Sequence, residues 1–148
     1  MTEIPRATSD AAFRASMLAQ ADAASLAVVA DECLAAAPTP LVHFGPDVGT
    51  IMLTMREPVE ATRFHLGEVL VTRCQVEHRE TVAWAMRMGD DRAATLAAAV
   101  CDAEVAAAGP AAASVERLVA ETQRHLDAER AEEWRELEPT IVAFEEMD

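Results

Sequence analysis

From Arg63 to Val76 the chain carries the run Arg-Phe-His-Leu-Gly-Glu-Val-Leu-Val-Thr-Arg-Cys-Gln-Val, which most restricts the folds open to it. From Val69 onward the run is rich in β-branched and aliphatic residues, as suits a strand buried on at least one face. Regular alternation sets Phe64, Leu66, Glu68, Leu70, Thr72, Cys74 and Val76 on one side. Glu68 would then meet an apolar surface, at a desolvation cost of several kcal/mol unless it is paired. Gly67 offers relief, because a glycine inside a strand often marks a bulge that re-aims the following side chains. The run therefore predicts a strand kinked at Gly67-Glu68. Arg73 falls on the other side with Val69, Val71 and Gln75, where it needs a rim position, a carboxylate or an anion.

Three further strands are expected around this one. Leu41–Phe44 is short and is followed by Gly45-Pro46-Asp47, which has the chemistry of a turn. Thr50–Arg56 alternates, with Ile51, Leu53 and Met55 on one side. Glu57–Ala61 forms the loop into the central run, and Glu77–Glu80 turns out of it. Thr81–Met88 alternates again, collecting Val82, Trp84, Met86 and Met88. Short connections between successive strands imply an antiparallel meander.

Helical patterns flank this block. Ser9 and Asp10 can cap a helix to about Gln20 with Phe13 and Met17 inward, and a second runs from about Asp22 to Ala37 until Pro38 and Pro40 end it. After Gly89-Asp90-Asp91 a third helix is expected from about Arg92 to Ala108, broken by Gly109-Pro110. A fourth, about Ala113 to Glu136, carries the narrow stripe Val115, Leu118, Val119, Thr122 and Leu126, which can bind a partner helix but for which packing on the local sheet is the ordinary use. Pro139 stops it, leaving 139–148 as a docking arm with Ile141, Val142, Phe144 and Met147. The expected fold is α+β: a single domain over 1–148 with an antiparallel sheet of about four strands. Two helices precede the sheet and two follow it, packed mainly on one face, with the other exposed or given to a partner.

Composition narrows the functions. Of the residues, 32 are alanine and none is tyrosine, so burial per residue is modest and leaves room for a partner to complete the fold. A net charge of −14 opposes non-specific nucleic-acid binding. All twelve basic residues are arginine, and the absence of lysine removes Schiff-base and P-loop chemistry. Cys33, Cys74 and Cys101 are odd in number and far apart, which suits a reducing cytoplasm. The first residues lack a signal-peptide pattern, and Asp102 and Glu104 interrupt the longest alanine-rich run, so neither export nor membrane spanning is expected.

The segment His65–Val76 resembles the Leu-Gly-Glu-x-x-Val-Thr-Arg-Cys-x-Val motif of the PhnG family, a subunit of the bacterial carbon–phosphorus lyase system. The likeness extends upstream through Pro40-Leu41, Val48-Gly49 and Met52–Arg56, and downstream through Trp84 and Gly89-Asp90 to Asp102-Ala103. Phe13-Arg14, Met17-Leu18-Ala19, Val142-Ala143-Phe144 and Met147 match the family's ends. The resemblance implies a role in phosphonate breakdown, assembled with PhnH-, PhnI- and PhnJ-like subunits. With PhnI, PhnH and PhnL, the family is assigned to transferring the ribose-triphosphate part of ATP to a phosphonate and releasing adenine. PhnJ, a radical enzyme, then cleaves the carbon–phosphorus bond. Chemistry is credited mainly to the partners, so this chain is expected to support the assembly, binding no cofactor alone, while ATP and the phosphonate belong to the complex. The chain departs from the family in having Glu57–Thr62 where a glycine-rich loop is common, and Gly89-Asp90-Asp91 where Gly-Arg-Asp is found.

The motif residues Leu66, Gly67, Glu68, Thr72 and Arg73 are thus candidate anion or interface contacts, and no catalytic or metal-binding residue is assigned. Glu68 can act as a base or pair with an arginine such as Arg73; Arg73 can grip a phosphonate or join a salt bridge. His43 and His65 would be near one another if their strands are neighbours, short of the three or four ligands a metal needs. Cys74 is expected as a buried structural thiol. The alternative to a complex subunit is a stand-alone acidic α+β binding protein diverged from the family, and a homo-oligomer is a further option for the isolated chain.

Overall fold

The computed structural model describes residues 10–35 and 37–141. In chain order it contains α1 (Ala11–Gln20), α2 (Ala23–Ala35), β1 (Leu41–Arg56), β2 (Arg63–His78), β3 (Thr81–Met88), α3 (Arg92–Ala106) and α4 (Ala112–Leu137), then a 3₁₀ turn at Glu138–Thr140. The fold is α+β, with one antiparallel sheet in the order β1-β2-β3.

The helix starts follow local chemistry. Asp10 accepts a hydrogen bond from the Ala12 amide at 2.9 Å, Asp22 accepts from the amide and hydroxyl of Ser25, and Asp91 accepts from the Ala94 amide. Helix α3 lies at the centre of the molecule. Its Ala94, Ala97, Ala98, Ala99 and Ala103 are buried, and their short side chains let it pack against β2 and β3 as well as α1, α2 and α4. Phe13, Met17 and Leu18 of α1, Leu26 and Cys33 of α2, Cys74 and Val76 of β2, and Val115, Leu118 and Val119 of α4 complete the core. The α4 stripe therefore packs on other helices. The expectation that it covers the sheet fails because α3 already occupies that position.

Arg87 joins the sheet to the first two helices. Its guanidinium donates to the carbonyl oxygens of Leu18 at 2.5 Å and Ala21 at 2.8 Å, at the break between α1 and α2. Hydrogen bonds from a charged donor contribute roughly 1.5–3 kcal/mol. Arg87→Met is expected to lower stability by about 2 kcal/mol, which for a domain of this size is a fall in Tm of roughly 4–8 °C. A melt followed by circular dichroism that matched the native chain would show that the clamp carries no weight.

Three strands replace the four expected. Leu41–Phe44 and Thr50–Arg56 are the two ends of β1, and Gly45-Pro46-Asp47 does not turn the chain. The pairings Val42↔Val76, Phe44↔Gln75 and Asp47↔Arg73 show one surplus residue at each of two successive bulges. Gly45, at φ +71, lies against the backbone of Arg73 and Cys74, where a β-carbon would overlap the Arg73 carbonyl oxygen. A third irregularity bears on the predicted kink. Leu53 pairs with Gly67 and Thr54 with His65, so the surplus residue on β2 is Leu66, just ahead of Gly67-Glu68.

Only Val71–His78 of β2 pairs with β3. Beyond that point Thr50–Arg56 and Arg63–Leu70 continue as a two-stranded arm, with eight residues spanning roughly 25 Å.

Candidate functional site

The central run divides at its midpoint. Toward its C-terminal end, Thr72, Cys74, Val76 and His78 alternate into the core while Arg73 and Gln75 face out. Thr72 donates its hydroxyl to the Gly89 carbonyl oxygen at 2.8 Å, and the Gly89 amide donates to the Leu70 carbonyl oxygen at 2.9 Å. The motif threonine therefore fastens the end of β3 to β2 and is not available to a ligand. Cys74 donates to the Thr95 carbonyl oxygen at 3.4 Å, and burial pushes its pKa up to about 11, which keeps it a thiol.

Toward the N-terminal end the alternation no longer separates inside from outside. Ile51, Met52, Leu53 and Met55 of β1 and Phe64, Leu66 and Leu70 of β2 are all exposed. Glu68 stands opposite Met52 and is exposed too. The conflict that regular alternation would create does not arise, because among the described residues no further strand or helix lies over this part of the ribbon. Nor does it meet Arg73, whose guanidinium lies 4.6 Å from the centre of the Phe44 ring, across the strand pair from Asp47. His43 and His65 are likewise separated: His43 contacts Glu77 at 2.9 Å near one end of the ribbon, and His65 contacts Thr54 at 3.2 Å on the arm. Among the described residues no group of three or more His, Cys, Asp or Glu is placed to hold a metal ion.

The tip of the arm is organised by its own carboxylate. Glu57 accepts hydrogen bonds from the amides of Val59 at 2.8 Å, Glu60 at 2.6 Å and Thr62 at 3.2 Å. The Val59 and Thr62 amides lead in lowering its pKa. Converging backbone amides are what a phosphate would use. Here Glu57 occupies them, so the tip of the arm is closed on its own carboxylate.

The apolar exposure extends to the open side of the sheet, where Val82, Trp84 and Met88 of β3 stand in solvent, Trp84 being 59% exposed. Of the expected C-terminal docking residues, Ile141 is exposed, while Val142, Phe144 and Met147 lie outside the described residues.

One polar cluster has no counterpart in the motif reading. Glu104 of α3 is fully buried and accepts from Nε2 of His78 at 2.7 Å, Nε of Arg79 at 2.7 Å and the Ala111 amide at 2.9 Å. Burial pushes the carboxyl's pKa up, but the bonds from Ala111, Arg79 and His78 outweigh it and hold the pKa below the usual value of 4.5. The same arginine sits in the two-residue turn between β2 and β3, where Arg79 and Glu80 have φ of 50° and 60°. Left-handed non-glycine residues cost roughly 1 kcal/mol or more each, and the ion pair offsets part of that. Gly109 is pressed against the Glu104 carboxylate, leaving no room for a β-carbon. The only sequence signal was Glu104 itself, an acid set within alanine, valine and cysteine.

The family described as phosphonate metabolism protein PhnG matches residues 12–148. The chain belongs to the PhnG family. Comparison with curated proteins returns no match. Membership assigns this PhnG-family chain to phosphonate metabolism, and the family's central motif falls on the arm and at its root. No helix among the described residues is long and apolar enough to cross a membrane.

Proposed function

We propose that the chain is a supporting subunit of a carbon–phosphorus lyase assembly, built with PhnH-, PhnI- and PhnJ-like proteins. Joined by a PhnL-like protein, the assembly transfers ribose triphosphate from ATP to a phosphonate before the carbon–phosphorus bond is cut. The observation that carries this reading is the exposed apolar arm in a chain of a phosphonate-metabolism family. A two-stranded ribbon is marginal by itself in water, and apolar side chains on both of its sides are stabilised when another protein covers them. ATP and phosphonate are bound by the complex, with this chain holding its partners in place.

Co-expression with the PhnH-, PhnI- and PhnJ-like proteins, followed by affinity capture through this chain, tests the proposal. Recovery of at least one partner in fixed ratio is expected. Recovery of none, with the three shown to be folded, would favour a stand-alone acidic binding protein. Arg73 offers a finer test. Its contact with Phe44 is exposed and contributes roughly 0.5–1 kcal/mol. Arg73→Ala is therefore expected to lower the Tm of the isolated chain by no more than about 4 °C while reducing partner recovery several-fold. A loss of Tm in proportion to the loss of recovery would make the residue structural.

A further inference from the structure

Helix α4 leaves the body of the protein. Its buried residues are Val115, Leu118, Val119 and Thr122, with Leu126 half-buried, and every residue from Asp127 to Ile141 is exposed. Eleven helical residues, Asp127–Leu137, thus project roughly 16 Å. A free helix of this length is marginal in water. Side-chain pairs along it, Arg130 with Asp127, Arg135 with Glu132 and Glu129 with His125, give it local support.

The projecting part is not uniformly polar. Trp134 is 57% exposed and Leu137 50%, and at 100° per residue both fall within an 80° arc that begins at Leu126. Leu137 continues the line of Val119 and Leu126, Trp134 stands about 60° to one side of it with Arg130 between them, and Ile141, 62% exposed, follows just beyond. Glu129, Glu133 and Glu136, at i, i+4 and i+7, take up the line that Val115, Leu118 and Thr122 hold nearer the body, and so border the pair Trp134 and Leu137 on one side. Between Asp127 and Glu138 there are six acidic residues and two arginines.

We infer that the free end of α4 is a docking helix for a second protein, distinct from whatever covers the arm. It lays Trp134 and Leu137 into an apolar groove whose rim carries arginine or lysine facing the glutamate row. A tryptophan and a leucine one turn apart are the anchors of helix-in-groove recognition, and the glutamate row fixes direction and register. The acidic flank and the net charge of −14 disfavour a second copy of this chain as the occupant.

The inference rests on the complex-subunit reading, and its test uses the same co-expressed assembly. Two variants of the full chain are compared with the native one: Trp134→Ala with Leu137→Ala, and Glu129→Gln with Glu133→Gln and Glu136→Gln. Both are expected to melt within about 2 °C of the native chain, since exposed substitutions change little. The apolar variant is expected to lose at least tenfold in affinity for one subunit at every salt concentration. The charge variant is expected to lose severalfold at low salt and to bind with a flatter salt dependence. Native-like capture of all partners by both variants would overturn the docking role and leave the assembly standing. Failure of the native chain to capture any partner would overturn both. A concentration-dependent dimer of the isolated chain, abolished by the apolar variant, would reassign the stripe to self-association.

Discussion

Glu104→Ala is expected to lower the stability of the isolated chain by about 3–5 kcal/mol, the largest effect of any single change considered. The carboxylate has no solvent exposure and receives three hydrogen bonds, from His78, Arg79 and the Ala111 amide. Its removal strands a buried imidazole and the start of α4, and it releases Arg79 from a turn with two left-handed residues. The change is read as a fall in Tm of at least 6 °C. Glu104→Gln keeps the volume and is expected to cost less. Native-like melting of the alanine variant would show that the cluster adds nothing to the fold.

The same group makes stability depend on pH in a known direction. Its folded pKa lies below the ordinary 4.5, so the folded state binds the proton less readily than the unfolded one. The contribution is complete above that ordinary value and is lost as pH falls through the folded pKa. Denaturant midpoints measured between pH 6 and pH 3 should therefore fall more steeply for the native chain than for Glu104→Gln. Parallel curves would assign the acid sensitivity to other carboxylates.

The second large effect belongs to the arm and concerns assembly. Ile51→Ser combined with Phe64→Ser removes two exposed apolar side chains from the two-stranded section. If the arm is covered by a partner, a buried anchor of this kind contributes about 2 kcal/mol, so capture of that partner is expected to fall about thirtyfold if one of the two is an anchor and towards a thousandfold if both are. The melting of the isolated chain should change little, because neither side chain is buried in it. Full capture by the double variant would remove the arm from the interface. Loss of folding alone would instead show that the arm packs on its own chain in solution.

How far the sequence discloses this arrangement differs from element to element. The caps at Asp10 and Asp91 and the break at Gly109 are local effects, and the helices begin and end close to where those residues place them. Gly45-Pro46-Asp47 is also local chemistry, but there the long pairing with β2 prevails, and residues suited to a turn become a bulge. The surroundings of Glu68 are not a local matter at all. Alternation assigns sides to a strand but cannot say that its covering layer stops at Leu70, since that depends on the length of β3. The Glu104 cluster joins positions 78, 79, 104 and 111, a convergence that no spacing in the chain announces. Of the motif, Thr72 proves to be internal fastening, and Arg73 and Glu68 remain at the surface.

The outer edge of β1 bears on how the protein must be made. It is a strand of 16 residues at the margin of the sheet, and its far half carries bare isoleucine, leucine and methionine. Such an edge is a template for indiscriminate pairing. Under the proposed assembly, a cell producing this chain in excess of its partners would accumulate a species prone to cluster with itself and to be cleared by proteases. Output matched to that of the partners is then a condition of solubility, and yield on recombinant expression should rise when they are supplied together.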